Sequence, residues 1–256
     1  MSELVATAFA DGVLRVTLSR PEKRNALSNA LIAAVGKTFA EWSTREDLSL
    51  AVLTGSGDKA FASGGDLKEL ETLRGEAEAR TFAARTRAAF DQIRRFPVPV
   101  LAILNGDALG GGAELAMACD HRLGLAHARI GFLQAKLNIA TAWGGGTDLF
   151  TQVGPSRAVR ILASAQIFPA AEAQRLGLVD AVAPAGDQAD RFVQSYIGEM
   201  TQRPQVMRAI KSLAVMHRFG GSAEERASRE GACFAAAWVH DDHWVAVANM
   251  AFGRRE

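Results

Sequence analysis

The chain has 256 residues, 48% hydrophobic and 22% charged, with a net charge of +1. That composition supports one soluble globular domain, or one domain with an appendage, and a sizeable core. The near-neutral charge excludes a nucleic-acid groove or an acidic-membrane surface as the main partner, and no apolar run reaches the length of a membrane span.

Val5–Phe9 and Val13–Ser19 are short β-rich runs joined by Asp11-Gly12, the signal of a hairpin. Pro21–Asn25 reads as a charged loop. Ser28 is placed to N-cap a helix over Asn29–Trp42. Leu50–Thr54 reads as a strand ending in a glycine turn. Ala60-Phe61-Ala62 is short and apolar, followed by the turn Ser63-Gly64-Gly65-Asp66. A long charged helix is predicted over Thr72–Arg95, stopped before Pro97. Its arginines (Arg74, Arg80, Arg85, Arg87, Arg94, Arg95) read as a solvated face.

The densest signal follows an apolar strand over Val98–Leu104. Asn105-Gly106-Asp107-Ala108-Leu109-Gly110-Gly111-Gly112-Ala113-Glu114 opens into the apolar helix Leu115–Cys119. A strand, a glycine turn and a helix N-terminus leave backbone N–H groups free to hold an anion, and the helix dipole adds positive charge there. Glu114 puts a candidate acid/base in the first turn. The two cysteines, Cys119 and Cys233, form no disulfide framework, which fits a reducing, cytoplasmic compartment. The N-terminus shows no basic region leading into an apolar one, so no signal peptide is expected.

His121–Leu125 then reads as a strand. Gly144-Gly145-Gly146 leads into a helix over Thr147–Val153; Pro155 starts another helix, and Pro169–Leu176 forms a third. Gly177–Asp180 is expected to return to a strand. From Asp187 the pattern is helical: 187–200, 204–217, 222–238 and about 243–252. Strand, turn and helix recur three times before residue 185, which argues for an α/β core over 1–186 and a helical region over 187–256. Neither glycine run carries a dinucleotide fingerprint, and no phosphate loop or Gly-x-Ser-x-Gly elbow occurs. His240-Asp241-Asp242-His243 fits no standard zinc spacing and reads as a solvated loop, so no metal is expected.

Three segments together resemble the crotonase (enoyl-CoA hydratase/isomerase) superfamily. They are Leu18–Leu27, Lys59–Leu67, and the glycine run continued through Cys119-Asp120 to Leu123. Gly144-Gly145-Gly146-Thr147 and Ala173–Val182 extend the likeness over essentially the whole chain. The resemblance implies a spiral of repeated ββα units and a helical C-terminal region that builds homotrimers, often paired into homohexamers. It implies an acyl-CoA substrate and no separate cofactor. The backbone N–H groups of Gly65 and Gly111 would hold the thioester oxygen. Lys23, Arg24, Ala26, Ala62, Gly64, Asp66 and Leu67 would contact CoA. Such a pair of donors stabilises an enolate more than the ground-state carbonyl.

Hydratases of this family use two glutamates. One matches Glu114; the other falls on Gln134, and an amide cannot accept and return a proton. Ala142-Trp143-Gly144-Gly145-Gly146-Thr147 resembles an element of the alkylmalonyl-CoA decarboxylase branch, and the Ala236–Ala248 tail resembles it too. Loss of CO₂ generates the enolate without a base, and an apolar wall at Trp143 would disfavour the substrate carboxylate. The resemblance therefore favours decarboxylation of a short alkylmalonyl-CoA. Hydration of a 2-enoyl-CoA through Glu114 is the alternative, and a catalytically silent CoA-binding subunit is the reading outside catalysis.

Overall fold

The computed structural model describes residues 4–252. The chain begins with an antiparallel hairpin, β1 (Val5–Ala10) and β2 (Val13–Leu18), closed by Asp11-Gly12 in positive-φ conformations. Helix α1 (Asn29–Trp42) follows, and the Ser28 hydroxyl accepts from Leu31 N–H as an N-cap should.

Three ββα turns then repeat. The first is β3 (Leu50–Gly55), β4 (Ala60–Ala62) and, past the short α2 (Leu67–Leu70), the long α3 (Glu76–Arg94). The second is β5 (Val100–Leu104), β6 (Asp107–Leu109) and α4 (Gly111–Ala118). The third is β7 (His121–Gly124), β8 (Arg129–Gly131), a 3₁₀ turn at Gln134–Leu137 and α5 (Gly145–Val153). Then come α6 (Pro155–Ser164), β9 (Phe168–Pro169), α7 (Ala170–Leu176), β10 (Ala181–Val182), α8 (Ala189–Glu199), α9 (Pro204–Phe219), α10 (Ala223–Trp238) and α11 (Asp241–Phe252).

Each turn places one strand in each of two sheets. The larger runs β1-β2-β3-β5-β7-β10, the smaller β4-β6-β8-β9. From β2 to β10 the large sheet is parallel and covered, so β3 and β5 are continuous apolar runs rather than alternating ones. In the small sheet β4, β6 and β8 are parallel. Their C-terminal ends therefore meet at one edge, and Ser63–Gly65, Gly110–Gly111 and Phe132–Gln134 leave from it. That shared edge is what the spiral does for function.

Several expectations need correction. The long charged helix starts at Glu76, because Gly75 caps it and Leu67–Leu70 folds as its own turn. Gly177–Asp180 is not a strand: Gly177, at φ +81°, ends α7 in the left-handed conformation, and pairing resumes only at Ala181. The glycine helix begins at Gly111 and α5 at Gly145, earlier than their apolar residues suggest. Asp241, Asp242 and His243 open α11, so of that expected loop only His240 lies outside a helix. Arg94, read as part of a solvated face, is buried.

Among the described residues, no helix is long and apolar enough to cross a membrane. Cys119 is buried, and burial pushes its thiol up to about 12, so it is not a reactive thiol. Helices α10 and α11 leave Phe234, Trp238, Val239, Trp244, Val245 and Met250 exposed.

Candidate active site

The site is built where the three small-sheet strands end. Gly64 and Gly110 turn the chain there at φ +112° and +53°, a region a side chain rarely adopts. Each turn is followed by a glycine, Gly65 or Gly111, whose amide N–H has no acceptor among the described residues. For Gly111 the cause is its place as first residue of α4, where N–H groups have no partner within the helix.

Trp143 ties the two glycines together. A Cβ added to Gly111 would stand 1.9 Å from Trp143 Cζ3 and 2.6 Å from Cη2; one on Gly65 would stand 3.3 Å from the same Cη2. The six-membered ring of the indole thus lies against both turns. Phe82 and Phe90 pack edge-on to it, at 5.7 and 5.9 Å between centroids. Trp143 is an apolar wall and a core residue at once, 7% exposed.

Glu114 sits in the first turn of α4 and is 2% exposed. Its Oε2 accepts from Trp143 N–H at 2.9 Å and Gly145 N–H at 3.1 Å; its Oε1 accepts from Gln134 Nε2 at 3.0 Å. Burial pushes its pKa above the usual carboxylate range, against the lowering effect of these donors. A buried carboxyl with a raised pKa is suited to carrying a proton. Gly145 carries no side chain because a Cβ there would stand 2.4 Å from the Cα of Glu114.

Gln134 occupies the position expected for a second carboxylate. It is 8% exposed, and its Oε1 is buried without a hydrogen-bond donor. It lines a cavity of about 320 Å³ together with Ile139, Thr141, Phe150, Val159 and Leu162. A second cavity, about 340 Å³, lies beside Asp120, His121 and Lys211. The two are alike in size, so chemistry decides between them. Lys211 is already engaged by Asp120, and Gln134, the hydrogen-bond partner of Glu114, lines only the first cavity.

The two remaining predicted segments are stitched to each other. Leu27 N–H donates to Gly64 O at 2.8 Å, Asp66 N–H to Leu27 O at 3.1 Å, and Ser63 N–H to Arg24 O at 3.1 Å. Ala26 thus lies beside Gly64 and Gly65, Lys23 and Leu67 are exposed, and Ala62 is buried. Asp66 starts α2 without a side-chain cap bond and instead pairs with Arg20 at 3.1 Å. Arg24 is half-exposed and bonds Asp107 at 2.9 Å; Arg129 grips the same carboxylate through both oxygens. Two guanidinium groups on one carboxylate leave positive charge at that edge. The Arg129–Asp107 pair escapes a sequence reading because its members are 22 residues apart and Arg129 lies in no motif.

Solved structures share this architecture. An enoyl-CoA hydratase from Bacillus anthracis superposes with a TM-score of 0.89 at 25% identity, covering 97% of this chain and 96% of that one. An enoyl-CoA hydratase from Thermoplasma volcanium gives 0.87 at 28% identity, with 97% of each chain covered. In sequence, a crotonyl-CoA hydratase from Syntrophomonas wolfei is 37% identical over 165 residues, 64% of this chain. A short-chain-enoyl-CoA hydratase from Clostridium acetobutylicum is 35% identical over 167 residues, 65% of this chain. The matched stretch spans 63% and 64% of those two relatives' lengths. The sequence model of the enoyl-CoA hydratase/isomerase family matches residues 8–243, and the chain belongs to that family.

Proposed function

We propose that the protein hydrates a short 2-enoyl-CoA through a thioester enolate. The observation that carries this reading is the buried Oε1 of Gln134, an acceptor with no donor, beside Glu114 Oε1. A buried acceptor left empty is costly, and a water offers the donor it lacks. One O–H of that water would go to Gln134 and the other to Glu114. A malonyl carboxylate brings no donor to the same spot.

The chemistry then follows from the residues. Water oxygen adds to Cβ and gives its proton to Glu114. The electron pair of the Cα–Cβ double bond moves onto the thioester oxygen, where Gly65 and Gly111 donate. Glu114 returns the proton to Cα, so one carboxylate serves both halves. The cavity beside Gln134 takes the acyl chain. Lys23, Arg24, Ala26, Ala62, Gly64, Asp66 and Leu67 line the approach of CoA, with Arg24 and Arg129 toward its phosphates.

A second reading keeps one specific observation: position 134 is an amide and the wall at Trp143 is apolar. If Glu114 is protonated, its O–H satisfies a flipped Gln134 carbonyl, and the amide N–H groups turn toward the cavity. That arrangement would receive a carboxylate and protonate the enolate left by CO₂ loss, as in decarboxylation of a short alkylmalonyl-CoA. Supplying crotonyl-CoA and ethylmalonyl-CoA to the pure protein separates the two. Loss of the enoyl absorbance without CO₂ release is expected; CO₂ release without hydration overturns the hydratase reading, and turnover of neither overturns both.

Gln134→Glu places a second carboxylate about 3 Å from Glu114, sharing a proton with it. Hydration is expected to rise, by roughly tenfold or more if the new carboxylate takes up acid/base work. Unchanged hydration in a folded variant removes position 134 from the water site. We also propose that the apolar faces of α10 and α11 are covered by neighbouring copies in a homotrimer or a homohexamer. Light scattering is expected to give three or six times the chain mass, and Trp238→Glu to reduce it.

A further inference from the structure

Four helices meet behind the Trp143–Gly145 turn, through charged side chains that the proposed reaction does not use. Arg94, at the end of α3, is buried. Its Nε donates to Asp148 Oδ2 at 2.9 Å, its Nη1 to Asp91 Oδ1 at 2.9 Å, and its Nη2 to the Trp143 carbonyl at 3.0 Å. Asp148, near the start of α5, forms an ion pair through its other oxygen with Arg218, whose Nε lies 3.2 Å away. Arg218, in the last turn of α9, also donates to the carbonyls of Met117 and Ala118, at 2.8 and 2.9 Å, where α4 ends.

Trp143 is the hinge of this arrangement. Its carbonyl is held by Arg94, and its N–H holds Glu114 Oε2 at 2.9 Å. The next residue, Gly144, lies so close to the guanidinium that a Cβ would stand 2.6 Å from Nη2. The plane of the arginine therefore sets where the turn runs, and the turn aims two N–H groups at one carboxylate oxygen. A charge network anchored on a buried arginine with every guanidinium nitrogen engaged favours one geometry.

We propose that Arg94, locked by Asp148, is a positioning residue for the proton carrier Glu114, and that Arg218 extends this hold to the C-terminal helix α9. The proposal rests on Glu114 as the proton carrier. Lysine at 94 keeps the charge but cannot serve Asp91, Asp148 and the Trp143 carbonyl in one plane. The turn then loosens and its N–H groups leave Oε2. The groups facing Glu114 are Gln134 and the N–H groups of Ala142, Trp143 and Gly145, with no charged side chain among them. Fewer N–H donors leave burial less opposed, so the titration of Glu114 moves up.

The test uses Arg94→Lys and Asp148→Asn, with Lys211→Met as the control: it removes another buried cation, the partner of Asp120, and leaves Arg218 and the turn in place. With crotonyl-CoA, kcat is expected to fall by roughly 10- to 100-fold while KM stays within about twofold. The carboxyl ¹³C signal of Glu114, assigned by its absence in Glu114→Gln, is expected to titrate at higher pH in both variants and at the wild-type pH in the control. An unmoved Glu114 titration in either folded variant overturns the proposal, as does an equal shift in the control. The titration needs no turnover, so it decides even where crotonyl-CoA is not a substrate and the hydratase reading fails separately.

Discussion

Glu114→Gln is expected to lower hydration of a 2-enoyl-CoA by roughly a hundred- to ten-thousandfold, the range that acid/base groups contribute. It is also expected to make the protein more stable at neutral pH. Burial raises the folded-state pKa of Glu114 above its unfolded value. The stability this carboxyl contributes is therefore present at low pH and lost as pH rises through the raised value. Glutamine escapes that loss. Its Oε1 takes over the Trp143 and Gly145 N–H groups, and its NH₂ meets Gln134. Gln134 then flips and offers the carbonyl that is now without a donor. Thermal unfolding across pH checks this: the melting-temperature gain of the variant should grow as pH rises from the ordinary carboxylate range through the raised Glu114 value and then level off, by about 2–4 °C for each kcal/mol. A variant that melts lower at every pH contradicts the assignment of Glu114 as a carboxyl whose pKa is raised by burial.

Gly111→Ala is expected to remove most of the activity by a different route. The new methyl group would stand 1.9 Å from Trp143 Cζ3, and Phe82 and Phe90, packed edge-on to the indole, resist its retreat. The N-terminus of α4 must move instead, taking the Gly111 N–H away from the thioester oxygen. Loss of one such donor costs about 2.7–4 kcal/mol of barrier, roughly a hundred- to a thousandfold in rate. Overpacking costs a further ~1–3 kcal/mol of stability. Steady-state kinetics should show the loss mainly in kcat. Wild-type kcat in a folded Gly111→Ala would remove this N–H from the mechanism.

How far these features are legible in the sequence depends on the range of the interaction behind each. Strands β3 and β5 read directly, because a parallel strand buried on both faces must be an unbroken apolar run. The glycine turn before α4 reads for the same local reason: free N–H groups at a helix start need no distant partner. The small sheet does not read from the residues. Its strands β6 and β8 are three residues long and hold Asp107 and Gly131, neither of which favours a strand. Arg94 fails in the same way. Among six arginines it reads as solvated, and its true partner, Asp148, is 54 residues further on. Asp66 keeps its place at the start of α2, but Arg20, 46 residues earlier, takes its side chain. Trp143 is placed by the sequence beside a glycine turn; only the structure shows it lying against both Gly65 and Gly111.

The joint occurrence of Glu114 and Gln134 on one buried contact changes the weight of the sequence argument. An amide at 134 reads as a missing acid, which favours decarboxylation. In the fold that amide spends its N–H on Glu114 and leaves a carbonyl bare. The bare carbonyl asks for a donor, and the substrate of a hydratase reaction supplies one. The central claim is that Glu114 alone carries the proton from water to Cα across a Gly65–Gly111 enolate. Mass spectrometry and NMR of the product formed from crotonyl-CoA in D₂O test it most directly. The expected product is the 3-hydroxyacyl-CoA with one deuterium at Cα, and its formation collapses in Glu114→Gln. The same labelled product formed at an undiminished rate by Glu114→Gln would contradict the claim.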